Sequence, residues 1–140
     1  MSIEIEGLDE LLIALEEPVT KGKLKKAINK ATKLVEREAK KKAPKGDGHL
    51  RRSITSEVRE EDGEIKGVVY TPLEYAPYVE YGTGLFAEEG GRTDVPWRYQ
   101  DEKGEWHTTS GMKPQPYMRP ALDENREEIM RIIREGLSNG

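Results

Sequence analysis

Twenty residues, Lys23 to Lys42, constrain this chain more than any other stretch. Leu24, Ala27, Ile28, Ala31, Leu34, Val35 and Ala39 recur at intervals of three and four. That spacing gathers apolar side chains on one face of a helix. Lys23, Lys26, Lys30, Lys33, Arg37 and Lys40 or Lys41 step along another face. Pro44 closes the helix, and "KGDG" makes a loop after it.

The charge on that helix is part of a lopsided distribution. Residues 1–20 carry six acidic side chains and no basic ones, whereas residues 21–52 carry thirteen basic and three acidic ones. The remaining 88 residues are acidic again, and the net charge is −4. Such asymmetry suits either a nucleic-acid surface or complementary faces on copies of one protein. Charged residues make up 36% of the 140 and hydrophobic ones 34%, so the core of the expected single domain is small. With no cysteine, disulfides and thiolate metal sites are excluded. The N-terminus lacks the pattern of a signal peptide, and no apolar run approaches membrane-spanning length.

Other elements flank the helix. Leu8, Leu11, Leu12 and Leu15 predict a short amphipathic helix ended by Pro18. After the long helix comes "LRRSITSEV", read as a strand in which Ile54, Ser56 and Val58 alternate with polar partners; Asp62-Gly63 supplies a turn, and "IKGVVY" returns, which predicts a β-hairpin. Residues 83–116 are rich in Gly, Pro, Thr and charge. Within them "PWRYQ" and "EWHTT" flank "DEKG" and predict a second, exposed hairpin. The stretch "RPALDENREEIMRIIREGL" predicts a last helix, with Pro120 in its first turn, Leu122, Arg126, Ile129 and Ile133 on one face, and Gly136 as its cap.

Catalytic motifs are missing. His49 and His107 lack the helical His partner of a zinc site. "GDG" and "GTG" are not followed by the Lys-Ser/Thr of a phosphate loop, and no serine sits in a nucleophile elbow. A metal-dependent enzyme would need His49 or His107 to meet carboxylates in space. The basic face of residues 23–42 is either a phosphate-binding surface or an ordinary solvated face; no aromatic residues interleave with its lysines, as a single-strand binder would have.

The segment "YAPYVEYGTG" holds three of the six tyrosines, Tyr75, Tyr78 and Tyr81, at three-residue intervals. They would share one side of a short helical turn with Pro77 near its start. Tyrosine suits a half-wet core and an interface equally, and residue type leaves both open.

Three motifs occur in order: "GDGHLRRSI" (Gly46–Ile54), "YAPYVEYGTG" (Tyr75–Gly84) and "MKPQPYMRPAL" (Met112–Leu122). Together they resemble the "gene product ten"-like family of tail components of long-tailed bacteriophages and prophages, described as head–tail joining or tail-completion proteins. His49 stands where that pattern has a small polar residue such as Asn. Residues 85–111 resemble an extended, mobile loop that shorter members lack.

The resemblance implies an α+β fold over residues 1–140: a small antiparallel sheet packed by a long N-terminal helix and a C-terminal helix. It implies a structural protein of the virion neck, formed in the host cytoplasm, with no catalysis and no cofactor. Its partners would be further copies of itself in a ring and the neighbouring head-connector and tail proteins. The candidate interaction residues are Tyr75, Tyr78, Tyr81, Lys26, Lys30, Lys33, Trp97 and Trp106. The two motifs at either end of the loop are expected to pack together and pin its base to the sheet, leaving the loop to reach a neighbour. The alternative is a small nucleic-acid-binding protein using helix 23–42.

Overall fold

The computed structural model describes residues 1–5, 21–46, 48–83, 86–88, 95–101 and 103–138. The helix expected over Leu8–Leu15 lies outside the described residues. The chain divides into two compact units, one of residues 1–72 and 117–140 and the other of residues 73–116.

The first unit is an α+β layer structure. Its sheet holds β1 (Ser2–Ile5), β2 (Thr55–Glu61) and β3 (Glu64–Tyr70), antiparallel in the order β1-β3-β2. The β2–β3 hairpin forms as expected. Glu61 faces Glu64 across a two-residue turn in which Asp62 (φ 52°) and Gly63 (φ 78°) both adopt left-handed backbone. That conformation matches the strand twist and is open to Asp-Gly pairs. Alternation places Ile65, Gly67 and Val69 of β3 on one face, beside Ile3 and Ile5 of β1 and Ser56 and Val58 of β2.

Helix α1 (Lys21–Lys42) lies on that face. Ala27, Ile28, Ala31, Leu34, Val35 and Ala39, all members of the expected stripe, are buried, and Thr32 joins them. Gly67 marks the closest approach: a Cβ there would lie 1.9 Å from Thr32 Oγ1 and 3.1 Å from Ile28 Cγ2.

Three expectations are corrected. The segment before β2 is not strand. His49–Ser53 forms a helical turn, α2, in which the Ser53 hydroxyl donates to the Leu50 carbonyl (2.6 Å), and Ile54 follows as a core residue. The last helix is two helices. α3 is the tyrosine turn (Ala76–Tyr81, described below), α4 is Met118–Asp123 and α5 is Arg126–Ser138. The break has a local cause. The Asn125 side-chain amide donates to the Ala121 carbonyl (2.9 Å), the acceptor a continuing helix would offer to the Asn125 backbone, and the Asn125 N–H turns to Leu122 instead. Finally, Gly136 lies inside α5. A Cβ there would sit 2.9 Å from Ala27 Cβ, so this glycine lets α5 lie close on α1. Ile129, Ile132, Ile133 and Leu137 of α5 complete the core.

In the second unit, Gly82 (φ 83°) ends α3, and its N–H donates to the Tyr78 carbonyl (2.9 Å). The ribbon β4 (Trp97–Gln100) and β5 (Trp106–Thr109) forms the second expected hairpin, with Tyr99 opposite His107 and Gln100 opposite Trp106.

Candidate interaction surface

The tyrosine turn and the proline motif meet as expected. Thr83 N–H donates to Met112 O (2.9 Å), Met112 N–H donates to Thr83 Oγ1 (2.9 Å), and Gln115 N–H donates to Val79 O (2.8 Å). Gly82 sits at this junction. A Cβ there would lie 2.9 Å from the carbonyl oxygens of Met112 and Phe86 and from Pro114 Cδ, so both its backbone angle and its surroundings require glycine.

The tyrosines do not fill a core. Ala76 and Glu80 are the fully buried residues of α3, whereas Tyr75, Tyr78 and Tyr81 are exposed, Tyr78 to 57%. With spacing of three, the tyrosines take one side of a turn whose other side is occupied by a small residue and a carboxylate.

The ribbon displays aromatics on both faces. Tyr99 and His107 stack on one face with ring centroids 5.3 Å apart. On the other, the Arg98 guanidinium lies 5.0 Å from the centre of the Trp106 ring, and Trp106 is still 59% exposed. Trp97 is half-buried. Phe86 is exposed beneath the Lys113 ammonium, 5.9 Å from its ring centre. Neither Phe86 nor Tyr99 stood out in the sequence, although the period-two alternation of "WRYQ" separates Tyr99 and Trp97 from Arg98 and Gln100. Among the described residues, every exposed large hydrophobic side chain (Tyr75, Tyr78, Tyr81, Phe86, Tyr99, Trp106) belongs to the unit of residues 73–116.

Of the two histidines, His107 meets carboxylates. Its Nε2 lies 2.6 Å from Asp101 Oδ2, and Glu105 is close enough to complete a three-residue group that could hold a cation. The same group organises the ribbon's turn. Asp101 Oδ1 accepts the N–H groups of Lys103 and Glu105, both at 2.9 Å. The His107 bond, followed by these amides, holds the Asp101 carboxyl below its ordinary pKa.

The basic face of α1 is largely engaged within the chain. Lys21 and Lys25 both reach Glu60, the latter at 3.2 Å. Lys33 and Lys40 share Glu36 at 3.6 and 3.9 Å, Lys41 pairs with Glu38 at 3.6 Å, and Lys42 with Glu124 at 2.6 Å. Lys21, then Lys25, pulls the Glu60 carboxyl below its usual range, and Glu124 raises the Lys42 ammonium. Of the three lysines singled out in the sequence, Lys33 is therefore paired, while Lys26 and Lys30 are exposed with no ion pair among the described residues. Lys25, Lys26, Asn29, Val58 and Glu60 line a shallow groove of about 300 Å³ between α1 and the edge strand β2.

No described helix is long and apolar enough to cross a membrane. No curated protein and no solved structure matches the chain significantly. Residues 8–82 match the family described as "Bacteriophage HK97-gp10, putative tail-component". That match spans more than half of the 140 residues, and the chain belongs to this family of bacteriophage tail components.

Proposed function

We propose that the protein is a structural component of the head–tail junction of a phage or prophage, a neck or tail-completion protein. It associates with its own copies in a ring and docks between the head connector and the tail tube. It resides in the virion, is made in the host cytoplasm, and catalyses no reaction.

One observation carries this reading beyond family membership. Among the described residues, the first unit exposes no large hydrophobic side chain, and the second displays six aromatic ones. Exposed aromatic clusters are costly to leave in water and are enriched where proteins meet. The basic helix supports the nucleic-acid alternative less well, because six of its cations are held by acids of the same chain.

The test is genetic and structural. A phage or prophage encoding the Tyr78→Ala, Trp106→Ala double variant should accumulate filled heads and separate tails visible by electron microscopy. Purified wild-type protein should then join them. Particles that join at the wild-type rate without the protein would overturn the assignment. Salt-sensitive DNA binding at physiological ionic strength in a gel shift would favour the alternative.

A further inference from the structure

We propose that Asp101, Glu105 and His107 form a site for a divalent transition-metal ion, Zn²⁺ by its donor set, that clips the turn of the β4–β5 ribbon. The site is a property of the isolated chain and does not depend on the head–tail reading. The family match ends at Gly82, so the ribbon lies outside it.

The strand register builds the site. Tyr99 faces His107 across the ribbon, and just beyond them the Asp101 N–H donates to the Glu105 carbonyl at 2.9 Å. Side chains alternate between the two faces along each strand. Tyr99 and Asp101 therefore share a face with Glu105 and His107, and Arg98, Gln100 and Trp106 take the other. One donor atom from each of Asp101, Glu105 and His107 lies within 4.8 Å of the other two. Carboxylates alone would be ordinary solvated surface; here an imidazole nitrogen converges with them.

Two of the three donors are held in place by their neighbours. Asp101 Oδ1 accepts the N–H groups of Lys103 and Glu105, both at 2.9 Å, and Oδ2 is turned to His107 Nε2 at 2.6 Å. Tyr99 stacks on the imidazole, with ring centroids 5.3 Å apart, and fixes its plane. Contacts of this kind orient metal ligands and strengthen binding. The chain has no thiolate to offer. One imidazole with two carboxylates is a nitrogen–oxygen set that suits Zn²⁺, whereas Mg²⁺ and Ca²⁺ favour all-oxygen shells. Zinc lies about 2.0–2.2 Å from such donors, which sets donors around one ion about 3.4 Å apart. Asp101 Oδ2 and His107 Nε2 would part by less than an ångström to admit it. The ion takes the Nε2 lone pair, so the proton in the Asp101–His107 bond moves to Nδ1 or to solvent. Two strands alone are marginally stable in water. An ion held by residues on both sides of the turn favours the paired ribbon by mass action and firms the display of Trp106 on the opposite face.

The experiment titrates the full-length protein with ZnCl₂ alone, by calorimetry and by heteronuclear NMR. One ion should bind per chain, with amide shifts concentrated in residues 97–109 and slower hydrogen exchange of the ribbon amides at saturation. His107→Ala and Glu105→Gln should each weaken the affinity by about tenfold or more. Glu105→Gln keeps the side chain's size and the backbone N–H that Asp101 holds, so its effect is not a folding defect; far-UV circular dichroism should be unchanged. His49→Ala should bind as wild type does. Mn²⁺ should bind more weakly than Zn²⁺, and millimolar Mg²⁺ should not displace zinc. No saturable binding at millimolar zinc, shifts centred outside the ribbon, unchanged ribbon exchange at saturation, or wild-type affinity in His107→Ala and Glu105→Gln would each overturn the inference. None of these measurements involves heads or tails, so a failure here leaves the head–tail reading untouched.

Discussion

A methyl group added at Gly67 would point straight into α1. The new Cβ would sit 1.9 Å from Thr32 Oγ1, more than an ångström inside the closest approach such atoms tolerate. Thr32 is fully buried, and its hydroxyl donates to the Ile28 carbonyl at 2.6 Å. Rotating Thr32 away abandons that bond in a dry site, at about 1–3 kcal/mol. Lifting α1 off the sheet instead loosens the packing at a similar cost of about 1–3 kcal/mol. Replacing Gly by Ala returns roughly 0.4–1 kcal/mol by restricting the unfolded chain. Gly67→Ala should therefore cost about 1–2 kcal/mol, a large share of the roughly 5–15 kcal/mol a small domain possesses. In a Thr32→Ala background the nearest remaining contacts of the new methyl would be the Cβ at position 32, at 3.2 Å, and Ile28 Cγ2, at 3.1 Å, gaps that a shift of a few tenths of an ångström relieves. There the same substitution should cost less than about 1 kcal/mol. Urea unfolding of wild type, both single variants and the double variant yields the coupling. Additive effects within about 0.5 kcal/mol, or a neutral Gly67→Ala, would refute this account of how the helix rests on the sheet.

Other outcomes follow from exposure and charge. Tyr78→Ala should change stability by no more than about 0.5 kcal/mol while impairing head–tail joining; a loss of several kcal/mol in urea unfolding would return the ring to a core. Reversing Lys26, Lys30 and Lys33 to Glu should leave far-UV circular dichroism unchanged and weaken joining, and joining by the wild-type protein should weaken as salt rises. Asp101 is held below its ordinary carboxyl pKa, chiefly by His107, so its support of the ribbon's turn is complete above about pH 4 and is lost as pH falls through the depressed value. NMR shifts of Trp106 and Gly104 followed through that acid range should move with the Asp101 carboxyl carbon, and Asp101→Asn should remove the transition. Limited proteolysis should cut first within residues 85–111, where glycine and charge outnumber apolar residues; earlier cleavage inside 24–40 would contradict the packing of α1.

The parts legible in the sequence were those with a repeating pattern or a specific turn. α1 announced itself through seven apolar positions on one stripe, and the first hairpin through Asp62-Gly63. β1 has only four residues, too few to establish a period, and becomes a strand because β3 pairs with it from Gly67 to Tyr70. The break between α4 and α5 depends on one Asn side chain reaching back four residues, amid helix-forming neighbours. For the candidate surface, the spacing of Tyr75, Tyr78 and Tyr81 showed that they share a side, but not which side faces water. A general preference for buried rings over buried carboxylates pointed the wrong way, since Glu80 is inside. The basic face was misleading in a different sense: Lys25 finds Glu60, and Lys42 finds Glu124, across separations that no local pattern reveals.

The paired backbone bonds between Thr83 and Met112 have an evolutionary consequence. They clamp the neck of a segment whose 28 residues, 84–111, begin and end at the same place. Closing a loop costs only about 0.6 kcal/mol more for each doubling of its length. Shortening this one to four residues would therefore change its closure by only about 2 kcal/mol. The clamp can carry almost any cargo of similar or smaller size without renegotiating the scaffold beneath it. A different segment could thus be grafted between Thr83 and Met112 as a cassette, closed by the same pair of backbone bonds.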